Sequence, residues 1–97
     1  MRLSVANNLH ITYDLMADGQ NYEAVTAKIK ELGGWAKINY SVWYVKSEST
    51  AQQARDFIKA AMDDNDKLYI VDATNGNAAW ANISSDVSAF ILDKWPK

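Results

Sequence analysis

Ninety-seven residues, 48% apolar and 23% charged, suffice for one domain around a single core and exclude a disordered chain. No cysteine is present, which excludes a disulfide framework and a thiolate metal site and makes a reducing cytoplasm the simpler setting. The net charge is −2 and the ten Lys and Arg are scattered, which argues against a dedicated duplex binder, because such proteins concentrate basic groups on phosphate.

The segment MRLSVANN lacks the long apolar stretch of a signal peptide, and no stretch approaches the ~20 apolar residues of a membrane span, so a soluble cytoplasmic protein with no membrane partner is expected. One domain is read over 1–97, with the first eight residues left open between order and flexibility. From Leu9 to Leu15, LHITYDL alternates Leu9, Ile11, Tyr13 and Leu15 with His10, Thr12 and Asp14, the period of a half-buried strand. A helix follows: Asn21 can cap it, and Tyr22, Val25, Ile29 and Leu32 share one face. Gly33 and Gly34 then offer the left-handed position that closes a helix. WAKINYSVWYVK, 35–46, is rich in aromatic and β-branched residues and reads as two antiparallel strands, about 35–39 and 41–47.

Ser49-Thr50-Ala51-Gln52 has the pattern of a capping box, with the serine bonding a helix amide and the glutamine reaching back. The helix it opens runs to about Asp63 with Ala54, Phe57, Ile58 and Ala61 on one side, and ends in the polar run DDND. KLYIVDA, 67–73, is a clear strand. Asn75-Gly76 is a hairpin signal, so a short strand over 78–81 is expected to pair back. Ser84 or Ser85 caps a last helix carrying Val87, Phe90, Ile91 and Trp95 to the core, and Pro96 stops it.

The order strand, helix, strand, strand, helix, strand predicts an α+β, ferredoxin-like βαββαβ fold. Its antiparallel sheet carries helices on one face, and a C-terminal hairpin arm and helix occupy 74–97. The other face then needs water or a partner. Val42, Trp43, Tyr44 and Val45, and again Leu68, Tyr69, Ile70 and Val71, are large at both parities, so both faces are substantially apolar. A bare face of that kind is rare in a monomer, and a homodimer is expected, with the open face or the Asn75-Gly76 arm at the interface.

A strand ending in YDL, a helix ending in LGG, an SVW strand pair from Ser41, and DKLYIVD before the last segment resemble the Cas-two family of small CRISPR-associated proteins. The likeness is closer to its relatives labelled SinR-like and spans roughly 9–95. It implies a ferredoxin-like homodimer in which Asp14 matches the strand-ending aspartate that, one from each subunit, lies near the dimer axis. With that pair go a divalent metal, Mg²⁺, and phosphodiester hydrolysis of RNA or DNA. Some relatives in the family serve as scaffolds, and the setting implied is mobile-element or antiviral defence.

Two Asp14 carboxylates suit a hard cation that keeps waters able to attack a phosphate. The plainer reading is that Asp14 ends its strand, accepting hydrogen bonds from Met16 to Gly19 or favouring the next helix's amino terminus. His10 and Thr12 share its face and are candidates for an interface, as is Trp80 in the arm. His10 and Asp14 stand ~13 Å apart along the strand, too far for a dyad within one subunit. Asp72 is a second acidic candidate because first and fourth strands neighbour in this fold. Asp63-Asp64-Asn65-Asp66 lacks the glycine and distal glutamate of an EF-hand. Four tryptophans, at 35, 43, 80 and 95, either stack on unpaired bases or pack in the core and interface, and the few adjacent lysines favour packing. No GxGxxG, Walker, HExxH or GxSxG motif occurs. Two functions are therefore expected to compete: a non-catalytic homodimeric scaffold with a protein partner, and an Mg²⁺-dependent nuclease using Asp14.

Overall fold

The structure, a computed structural model, describes residues 6–16 and 22–96. Their elements are β1 (Asn7–Asp14), α1 (Tyr22–Glu31), β2 (Gly33–Asn39), β3 (Val42–Ser47), α2 (Ala51–Lys59), β4 (Lys67–Asp72) and α3 (Ser85–Lys94). The four strands form one antiparallel sheet in the order β2-β3-β1-β4, giving an α+β architecture with three helices. The alternation in LHITYDL becomes β1, which begins earlier than read: Asn7 and Asn8, in the stretch left open, are strand. The expected Asn21 cap and most of the loop from Met16 to Gly19 lie outside the described residues.

Side chains directly opposite each other in an antiparallel pair point to the same side. Leu9, Ile11, Tyr13, Trp43 and Val45 therefore share one face, where they close on Val25 and Ile29 of α1 and Ala54 and Ile58 of α2. Burying each such aliphatic side chain contributes about 1.5–3 kcal/mol, so this layer is the main source of stability.

Several expectations are corrected. Gly33 and Gly34 do not close α1 in a left-handed turn; they begin β2, and neither takes a positive φ. Their smallness has a different use, since a Cβ on Gly33 would run into the Lys46 carbonyl of β3 and one on Gly34 would press on the Phe90 ring at 3.3 Å. The capping box opens one residue later than read: Thr50 Oγ1 accepts from the Gln53 amide at 3.1 Å, and the Gln53 side chain accepts from the Thr50 amide at 2.9 Å. α2 stops at Lys59 rather than near Asp63.

No strand forms over 78–81. Asn75-Gly76 sits in a turn closed by Gly76 N–H to Ala73 O at 2.9 Å, and neither residue takes the positive φ of a tight hairpin; that conformation falls to Asn82, with φ 61°. Instead of pairing back, the segment is pulled toward the end of α3, where Trp95 Nε1 donates to Gly76 O at 3.0 Å. Ser84 caps α3 by accepting from the Val87 amide at 3.2 Å, one of the two serines expected.

Nor do the helices keep to one face. α3 lies across the side opposite α1 and α2, with the Phe90 ring 6.2 Å from Tyr44 and the Trp95 ring 5.5 Å from both His10 and Tyr44. The large residues of both parities on β3 are thereby explained within one chain: Trp43 and Val45 face α1 and α2, and Tyr44 faces α3. Cover on this side reaches β2, β3 and the start of β1, leaving Tyr69 and Val71 of β4 exposed at 66% and 38%.

Candidate functional site

The face carrying His10, Thr12 and Asp14 divides in two. Its open end is built from Thr12 and Asp14 of β1 and from Tyr69 and Lys67 of β4, which stand directly opposite them. Asp14 is exposed at the strand end, as its position in LHITYDL requires. Lys67 is its cross-strand neighbour, so a basic side chain leaves the same face of the sheet as Asp14. Of the loop amides read as partners of Asp14, only that of Met16 is among the described residues, and it donates to Asp66 Oδ1 at 2.8 Å, while Asp66 Oδ2 accepts from the Asp63 amide at 2.8 Å. The acidic run 63–66 is thus a turn that clamps the end of β1 through Asp66. Asp72 does not join Asp14. It pairs with Leu9 at the far end of β4, facing the helix side, and accepts from the Thr74 amide at 3.0 Å.

The closed end contains the group that sequence reasoning missed. Asn8 is completely buried, and all four of its side-chain hydrogen-bonding positions are used. Its Oδ1 accepts from Tyr44 Oη at 2.7 Å and Lys46 Nζ at 3.0 Å; its Nδ2 donates to Trp95 O at 3.1 Å and, more weakly, Thr74 O at 3.4 Å. Trp95 is the C-cap of α3, so Asn8 satisfies a carbonyl that the helix itself leaves orphaned. Burial pushes the Tyr44 phenol up to about 12 and the Lys46 ammonium down from its ordinary value. His10 lies between this network and solvent, its ring edge-on to Trp95 and Tyr44, and burial pulls its pKa down. The imidazole touches both rings while remaining exposed on the strand face.

Between α3, the 78–83 segment and the sheet lies an apolar cavity of about 110 Å³, bordered by Val42, Tyr44, Trp80, Ile83 and Ile91. Trp80, a candidate for contact with a partner, is half-buried here and donates from Nε1 to Ser88 Oγ at 2.9 Å. Trp35 and Trp43 form a pair on the α1 and α2 side of the sheet, with ring centroids 5.3 Å apart. Lys30 Nζ stands 4.6 Å from the Trp35 ring and Lys37 Nζ 5.7 Å from that of Trp43, cations that a linear reading of the strand pair places apart.

No family model, curated protein or solved structure matches the chain. Among the described residues no helix is long and apolar enough to cross a membrane, and no three His, Asp or Glu side chains gather into a metal cage.

Proposed function

We propose that the chain is a non-catalytic, homodimeric binding or scaffold protein of the ferredoxin-like class, of the kind found among Cas-two-like proteins of mobile-element and antiviral defence. The fold reading is supported by the succession βαββαβ, with β1 and β3 central in the sheet. The observation that carries the functional reading is the exposed Tyr69 and Val71 beside Thr12: large apolar groups on a regular strand suit a protein surface better than a phosphate backbone. Lys67 opposite Asp14 points the same way, because a basic residue on the same face opposes the approach of Mg²⁺.

The alternative, an Mg²⁺-dependent endonuclease using Asp14 from both subunits, is favoured by the exposure of Asp14 at the end of its strand. Magnesium titration of the wild type and Asp14→Asn, followed by NMR at low salt with a short RNA and then DNA added, separates the two. The scaffold reading expects no saturable shift around Asp14 and no metal-dependent cleavage. Saturable shifts and cleavage, both lost in Asp14→Asn, would establish the nuclease instead.

A further inference from the structure

The sheet has two edges, and they are built differently. β2 carries two glycines, Lys37, and a register shift between Lys37 and Asn39, all devices that spoil a strand as a template for another chain. β4, KLYIVD, has no proline, glycine or bulge, and four consecutive apolar residues. Natural sheets blunt their free edges, so a regular apolar edge calls for an occupant.

The ladder fixes which groups that edge presents. Ala73 N–H donates to Asn8 O at 2.8 Å, and hydrogen-bonded and non-bonded pairs alternate along an antiparallel ladder. Val71, Tyr69 and Lys67 therefore direct their amides and carbonyls toward β1, while Leu68, Ile70 and Asp72 direct theirs outward.

We infer that β4 pairs antiparallel with β4 of a second copy, with the two-fold axis at Ile70, joining two sheets into one of eight strands. This rests on the homodimer reading and specifies its geometry. In this register every outward group is used: Ile70 meets Ile70 of the second copy and Leu68 meets Asp72, for about six hydrogen bonds. Tyr69 falls opposite Val71 twice, at the close non-bonded positions where an aromatic on a β-branched residue is favourable, and both exposed side chains are covered. A shift that put the axis at Tyr69 would bring Asp72 against Asp66, a like-charge pair. On the helix side a groove of about 460 Å³ among Ala51, Gln52, Arg55, Leu68 and Ile70 leaves room for the incoming Ile70. A second copy is the occupant that fits because the strand is its own complement. In this arrangement the two Asp14 side chains are separated by both β4 strands, ~14 Å or more, and share no cation.

The test is sedimentation of the full chain, with two variants and one cross-link. Wild type is expected to be dimeric at high micromolar concentration. Asp72→Pro removes an outward N–H and leaves the β1 ladder intact, and it should weaken the dimer about tenfold or more with the fold retained by circular dichroism. Tyr69→Lys changes only an exposed side chain and should weaken it as well, which keeps the test alive if the proline variant misfolds. Because the chain has no cysteine, Ile70→Cys should form a disulfide dimer under oxidation, and Tyr69→Cys should not. A monomeric wild type would overturn both this pairing and the homodimer reading. A dimer indifferent to Asp72→Pro and Tyr69→Lys, with no Ile70→Cys cross-link, would overturn the pairing alone. Cross-linking through Tyr69→Cys in place of Ile70→Cys would overturn the register.

Discussion

On the α1 and α2 side of the sheet, Leu9, Ile11, Val25, Ile29, Val45 and Ile58 interlock as apolar side chains on regular elements, whereas on the α3 side the helix is held by an aromatic cluster and one buried asparagine. The first arrangement is non-directional, and its energy is spread over many contacts. The second is directional and concentrated: the Asn8 side chain bonds to Tyr44, Lys46, the segment after β4 and the end of α3. The same sheet is thus closed on one side by packing and on the other by a latch, and the two sides should fail differently.

The largest effect is expected from the packed side. Ile11→Ala opens a cavity in a fully buried layer and should cost about 2–5 kcal/mol, lowering the whole thermal transition without dividing it. A two-step melt in this variant would mean that the two sides are not one cooperative unit. Asn8→Ala should cost less, roughly 1–3 kcal/mol, because it strands the Tyr44 hydroxyl and the Trp95 carbonyl. Its signature is local: amide exchange quickens over Ser85–Lys94 while the Val25 and Ile58 amides stay protected, and uniform exchange would remove the latch from the account.

The smallest effect is that of pH. Burial lowers the His10 pKa, so the unfolded chain takes up the proton first. Stability is then complete above about pH 6.5, the unfolded value, and declines as pH falls through it toward the folded value. Thermal melts from pH 8 to pH 5 should show this slope in wild type and a shallower one in His10→Gln. Equal slopes would place His10 outside the latch.

How legible each side was in the sequence follows from the same contrast. The packed face is written as short-range periodicity, two in LHITYDL and three to four from Tyr22 to Leu32, and its elements stand close to where those periods put them. Asn8 had no such signature: its partners lie 36 to 87 residues away, and an asparagine next to Asn7 reads locally as loop. Gly33-Gly34 misled for a related reason. A glycine pair after an amphipathic helix looks the same whether it turns the chain or lets two strands approach, and only the Lys46 carbonyl decides. At the candidate site the exposure of Asp14 was readable from parity, while Lys67 beside it required the register of β4.

The tryptophans divide along the same line. Trp35 and Trp43 form a pair beneath α1, and Trp80 and Trp95 lie with α3 on the reverse of the sheet. The chain therefore holds two built-in fluorophore pairs, one for each side. Replacing either pair with phenylalanine leaves a probe of the other, and stopped-flow emission would time the release of α3 separately from the collapse of the core.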